Sequence, residues 1–488
     1  MKNLFLSGIM ILALALSSCK DFLDINQNPN NTMEVSINSI LSAGHGYSTV
    51  ALGYTTQLAG AFWVQHYTQN TSANQYVTLR DYNLTYSSTY LTAQWVTTYR
   101  QTIPSLRDLK AQAEKERITY KEYAVYTAVS EIMEAFHWHI LNSLYDRVCY
   151  AEGQQGMDNL TPEFESSRAS YELILKLYEK VLEYDVEELQ DYADKTFAGT
   201  GRDMIFDGDM EAWMQFANTV YLKMLMRDFT ANQSKIQAVL NSPIGLLDEH
   251  SGDAKFAYFQ DLPDKSNPLY EGDRRQLNST QNIKACNSLL GYLTTKADPR
   301  RTVFYDTNSG GGYSGGAYAA GAGGATSRAK LAATDPVYFA SVAEAYFLKA
   351  EAYARLNDPT KAKANYDAGV IAAFNRWNLN GDPFIETGGA YEFQTGTIEE
   401  MIEQIIIQKW VASTRCQAWD AWFDLNRTGY PRRAATTNVA TGELLQAFSG
   451  LLDAGTYPQR FLYPKNSSDY NPNTPTAVKM NEKLWWQK

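Results

Sequence analysis

Residues 336–377 read PVYFASVAEAYFLKAEAYARLNDPTKAKANYDAGVIAAFNRW, and this stretch decides the fold class. Tyr338, Val342, Tyr346, Ala350, Tyr353 and Leu356 recur mostly three or four residues apart, which puts them on one face of a helix. Ala343, Ala345, Ala352 and Ala354 are small enough to let a second helix approach closely. Asn357-Asp358-Pro359 stops that helix and starts another, because Pro at the first helical position gives up an N–H that has no intrahelical partner. Ala362, Tyr366, Ala368 and Val370 carry the stripe onward. The pattern predicts two helices, 336–357 and 359–377, packed as a hairpin.

The run Ala352 to Asn357, with Lys361, Ala362, Tyr366 and Ala368, resembles a tetratricopeptide unit, with Tyr in the large aromatic place and Asn for the usual Gly. Working outward, helical spacing recurs over 120–145 through Tyr126, Ile132, Phe136, Ile140 and Leu144, and over 163–191 through Tyr171, Ile174, Leu175, Tyr178 and Val181. Asp209 is placed to cap a helix through Trp213, Phe216, Val220 and Leu225. A last long helix is predicted from Thr397 to about Asn426, carrying Ile402, Ile405, Trp410 and Trp422. Segments 44–95 and 248–335 show little helical pattern, and the second holds a Gly-rich tract at 310–318. No linker divides the chain, so a single, mainly α domain is expected.

Met1-Lys2-Asn3 followed by the apolar run Leu4 to Leu16 reads as a signal peptide, too short to span a bilayer. Leu16-Ser17-Ser18-Cys19 resembles a lipoprotein lipobox, which makes Cys19 the lipidation site and the first residue after cleavage. The expected organisation is signal peptide 1–18, lipidated tether 19–35 and helical domain 36–488. Cys149, Cys286 and Cys416 are too scattered for a disulfide framework or a metal site and read as buried thiols. A net charge of −11 gives no general field for nucleic acid, which is excluded as a partner.

Chemistry-bearing motifs are few, and no cofactor or metal is implied. Gly312-Tyr313-Ser314-Gly315-Gly316 matches the GxSxG nucleophile elbow in letters, but neither a strand nor a capped helix flanks it. His137 and His139 lie two apart on a helix and point in different directions, so they read as core or rim residues. Asp420 and Asp424 share a helix face, yet Arg415 and Arg427 flank them, which favours ion pairs over glycoside hydrolysis. The remaining signal is aromatic: Trp63, His66, Tyr67, Tyr76, Tyr82 and Tyr86 alternate with Gln65, Gln69, Asn70, Asn74 and Gln75. A sugar ring offers an apolar C–H face and a belt of hydroxyls, so flat aromatic faces beside amides suit it. The candidate ligand residues are Trp63, His66, Tyr67, Asn74 and Tyr76, with Arg300, Tyr313 and Tyr318 on the later loop; core packing is the competing role for each aromatic.

Several motifs together resemble the SusD/RagB family. They are Cys19 followed by Asp21-Phe22-Leu23-Asp24 and Asn28-Pro29-Asn30; Trp213 with Phe216-Ala217-Asn218, Leu222-Lys223, Leu225 and Arg227; and the run from Ala343 to Tyr353. Gln408-Lys409-Trp410 before Ala418-Trp419, then Arg427-Thr428-Gly429-Tyr430-Pro431, and Arg460-Phe461-Leu462-Tyr463-Pro464 with Asn471 and Asn473, complete the likeness. It implies tetratricopeptide-like hairpins supporting a loop-rich ligand-binding lobe. It further implies an outer-membrane lipoprotein, facing the cell exterior, that captures glycan or in some members peptide. Such a protein acts without catalytic residues as a hinged lid on a TonB-dependent SusC-like transporter, with its hairpins towards the barrel. A surface glycoside hydrolase and a periplasmic scaffold are the rival readings.

Overall fold

In the computed structural model, which describes residues 35–197, 199–306, 326–435, 438–446, 452, 456–476 and 478–488, helices dominate. The first half holds α1 (Ile37–Gly53), α2 (Thr55–Trp63), α3 (Thr89–Trp95), α4 (Ile103–Glu116), α5 (Ala124–Tyr145), α6 (Ser167–Val181), α7 (Val186–Thr196), α8 (Met210–Leu225) and α9 (Phe229–Leu240). The second holds α10 (Asn287–Thr295), α11 (Val342–Arg355), α12 (Pro359–Asn375), α13 (Ile398–Ala412), α14 (Ala418–Thr428) and α15 (Lys465–Tyr470). Short strands are β1 (Tyr67–Gln69), β2 (Ala254–Phe256), β3 (Ile283–Ala285), β4 (Tyr305–Asp306), β5 (Arg328–Ala329) and β6 (Val337–Ala340). An antiparallel sheet runs β1-β3-β5-β4, with Tyr67 opposite Ala285 and Tyr305 opposite Ala329. The mainly α class expected from the 336–377 pattern is what the chain adopts.

Element boundaries follow capping more closely than apolar spacing. The predicted helix over 336–357 begins as β6, because Val337–Ala340 finds a strand partner in β2 and the helix starts only where the Ser341 hydroxyl accepts from the Glu344 N–H. The predicted helix over 163–191 divides into α6 and α7, since Asp185 caps a new start by accepting from Glu188 N at 3.1 Å. The long helix over 397–426 divides into α13 and α14; Arg415 sits at φ 55°, a left-handed conformation that no helix continues through. Asp209 caps α8 as expected, accepting from Ala212 N at 2.9 Å. Segment 44–95, expected to be irregular, contains most of α1 and all of α2 and α3. Its Gly, Thr and Ser residues lower intrinsic helicity but allow close packing, and tertiary contacts supply the stability.

Two glycines show how tight that packing is. A Cβ at Gly60 on α2 would lie 2.4 Å from the Trp419 backbone nitrogen, so α2 and α14 meet only with glycine there. A Cβ at Gly369 on α12 would lie 2.8 Å from the Phe347 ring on α11. Ala343, Ala345, Ala350, Ala352 and Ala354 are fully buried, and α11 packs against both α12 and α13.

Where α8, α11, α13 and α14 converge, charges are buried together. Lys223 pairs with Glu344 at 2.8 Å and with Asp420, while Lys409 pairs with Glu344 at 3.1 Å and Asp424 at 2.7 Å. Arg427 makes two parallel bonds to Glu351, at 2.6 and 2.7 Å, and a third to Asp424 at 2.8 Å. Asp420 and Asp424 are therefore ion-pair partners as expected, but of the two flanking arginines Arg427 engages Asp424 while Arg415 turns away to Asp335, and Lys223 and Lys409 supply the other cations. Burial opposes ionisation of Glu351, but the Arg427 and Arg355 guanidinia outweigh it and hold the carboxyl well below the usual range.

Ala350→Trp should overpack the hairpin and cost about 1–3 kcal/mol, read as a lowered melting temperature. Glu351→Gln leaves Arg427 undercompensated and should cost about 3–5 kcal/mol at pH 7 in urea melts. Because the folded-state pKa of Glu351 is depressed, its contribution is complete above the unfolded value of about 4.3 and fades as pH falls below it, so the gap between wild type and variant should narrow in acid.

Candidate functional site

Five of the eight ligand residues expected from sequence belong to the core. Trp63 is fully buried; its indole donates to Leu79 O at 2.9 Å and its ring meets Trp422 edge-on at 4.6 Å. His66 lies 2.9 Å from Trp410 O, and burial pushes its imidazole down to about 3. Tyr67 and Tyr76 are buried against Tyr305 and Phe62. Arg300 pairs with Asp298 at 2.6 Å beneath Phe374, with no exposed surface. None of these five presents a face to a ligand. The amides between them serve the backbone instead: Gln65 donates to Leu445 O at 2.7 Å, and Gln69 accepts from Tyr76 N at 3.2 Å. Asn74 is exposed in the same loop. Tyr313, Tyr318, the GxSxG stretch and Cys19 lie outside the described residues. His137 and His139 are buried within α5, and Cys149, Cys286 and Cys416 are buried as expected.

The aromatic and amide chemistry that suits a sugar assembles elsewhere. After α3 the chain widens into a π-helix, Val96–Thr102, before α4, a departure from regular geometry that often marks functional sites. It places Trp95 and Tyr99 in a stack, 4.9 Å between centroids, and Phe164 lies parallel to Trp95 at 6.3 Å. The facing wall is the loop after α5. Glu165 accepts from Tyr150 N at 2.8 Å and Ala151 N at 2.7 Å, and Glu152 accepts from Asn159 Nδ2 at 3.1 Å and Glu163 N at 3.0 Å, which fixes the loop's shape. Gln154 ties this loop to Tyr99 O at 2.6 Å.

The third wall is α15. It is positioned by Phe461 N, which donates to Leu144 O at 2.7 Å, and by the Tyr463 hydroxyl, which donates to Tyr145 O at 2.6 Å. Asn471 closes the corner by donating to Pro162 O at 2.8 Å. Together these segments enclose a groove of about 400 Å³ lined by Trp95, Tyr99, Phe164, Gln154, Asn159, Asn466 and Asn471, with Leu160 and Tyr470 at its mouth.

No carboxylate lines the groove among the described residues, and its one formal charge is Arg100. Asn466 Oδ1 is buried there without a partner, an acceptor left for something that donates. Burial pushes the Cys149 thiol up, and Glu165 adds to the effect, so at neutral pH it is a protonated wall rather than a nucleophile. A larger hollow of about 680 Å³ beside α13 is more polar, and its Glu400 and Glu403 are engaged by Thr397 and Arg432. The smaller groove thus combines aromatic faces, amides and a free acceptor. Sequence spacing missed it because its walls lie far apart in the chain; Trp95 and Tyr99, four apart, are the one local signal.

Comparison with known proteins agrees with this architecture. The SusD-like family model, described as starch-binding associating with outer membrane, matches residues 29–464. A SusD homologue from Bacteroides uniformis superposes with a TM-score of 0.70 at 19% identity, covering 93% of this chain and 100% of that one. A chitin-binding SusD homologue from Flavobacterium johnsoniae gives 0.71 at 19% identity, covering 92% and 98%. A SusD homologue from Bacteroides vulgatus gives 0.71 at 18%, covering 92% and 97%. Among curated proteins none matches the sequence. With the family model matching most of its length, the chain belongs to the SusD/RagB family.

Proposed function

We infer that this protein is a cell-surface lipoprotein, anchored through Cys19, that holds a glycan in the groove between the 149–164 loop and α15. It passes the glycan uncleaved to a TonB-dependent SusC-like transporter. The observation that carries the reading is the groove's lining: stacked aromatic rings, amides and an unpartnered acceptor, with no carboxylate pair of the kind glycoside hydrolysis needs among the described residues. The family's description and the chitin-binding homologue support glycan as the ligand class. An acyl anchor is compatible with the helices, none of which is long and apolar enough to cross a membrane among the described residues. The peptide-binding members of the family and a surface hydrolase supply the competing outcomes.

Calorimetry of the mature chain against a glycan panel, run beside a reducing-end assay, tests this. Binding without release of reducing ends is expected, and Asn466→Ala should weaken it by about 1 kcal/mol or more with the fold unchanged. Time-dependent release of reducing ends would establish a hydrolase, and binding to peptides alone would move the ligand class. Trp63→Ala should cost about 3–5 kcal/mol of stability instead, as a core truncation does. Cys19→Ala should shift the protein from the membrane to the soluble fraction; membrane retention of the signal-cleaved variant would refute the anchor.

A further inference from the structure

A much smaller cavity, sharing no residue with the groove, lies where β1, the start of β6 and the turn between α13 and α14 meet. It measures about 30 Å³ and is walled by Tyr67, Tyr338, Cys416 and Trp419, all buried, and by Asp335 and Arg415. Those two supply the only charges among its described residues, and they answer each other: one Arg415 amino group donates to Asp335 Oδ1 at 2.5 Å, the other to Val303 O at 2.7 Å. A neutral cavity has nothing to hold an ion. Burial pushes the Tyr67 phenol up, and Arg415 and Asp335 are near enough to bias it in opposite directions, so the hydroxyl stays protonated beside them. Yet neither the Tyr67 hydroxyl nor Arg415 Nε finds a partner among the described protein atoms. A buried donor left unmet is costly, and two on the walls of one cavity need a shared answer.

A water molecule needs roughly 10–15 Å³ of such room and about two to four polar partners, and this cavity offers both. We propose that it is a built site for one or two ordered waters, which join the Tyr67 hydroxyl to Arg415 Nε and the Asp335 carboxylate. The water oxygen accepts from Nε, and its hydrogens reach the carboxylate and the phenol oxygen. Arg415 is the left-handed residue at the break between α13 and α14, so the water ties that break to a strand of the first half. Anything larger is excluded by volume. The site is independent of the glycan reading.

A high-resolution crystal structure of the mature chain, together with urea unfolding of Tyr67→Phe, tests this. Density within hydrogen-bond distance of both Tyr67 Oη and Arg415 Nε is expected. The sign of the mutant effect separates the alternatives. In a dry cavity the hydroxyl is an unmet polar group, and its removal leaves the fold as stable or more so; with water present, removal breaks the bridge and the folded-to-unfolded ratio should fall about fivefold. A cavity without density, or a Tyr67→Phe chain as stable as wild type, overturns the water site.

Discussion

Two lysines removed from water fix how α8 and the helices of the second half meet. Lys223 on α8 and Lys409 on α13 reach the same carboxylate, Glu344 on α11, while Asp420 and Asp424 on α14 take their remaining charge. A buried ion without its partner is strongly destabilising, so these four helices have one mutual arrangement in which every charge is answered. The break at the left-handed Arg415 separates α13 from α14, and Lys409 on the one still pairs with Asp424 on the other. Once α14 is placed, Gly60 fixes its contact with α2, Trp422 meets Trp63, and the first half is held to the second.

Much of this architecture is legible in sequence because its information is local. The hairpin over 336–377 is written in alternating Tyr and Ala, and the caps Asp209 and Asp358 stand immediately before their helices. The breaks at 182–185 and 413–417 are not legible in the same way, since apolar residues keep helical spacing across them. What ends each helix is a single cap or a single left-handed residue. β6 is invisible for another reason: its partner β2 lies about eighty residues upstream.

The ligand residues were harder to read because an aromatic beside an amide has the same pattern in a core as in a sugar site. Whether Gln65 faces a ligand or Leu445 depends on a contact across 380 residues. The groove that does carry this chemistry draws its rings and amides from three separate stretches, each unremarkable alone. Trp95 and Tyr99 read as helix packing, Asn466 and Tyr470 as a polar turn near the end of the chain. Only tertiary structure brings them to one opening.

That remote assembly makes occupancy a matter of chain stability. α15 and the residues around it are joined to the first half by bonds to Tyr86, Leu144, Tyr145, Asp146, Arg147, Thr161 and Pro162. A ligand held between these segments adds a non-covalent crosslink, and detaching the late segment then requires its release. At a ligand concentration a hundredfold above Kd this raises the cost of opening by about 2.7 kcal/mol. Protease sensitivity of residues 456–476 thereby becomes a reporter of whether the groove is filled, independent of any signal from the ligand itself.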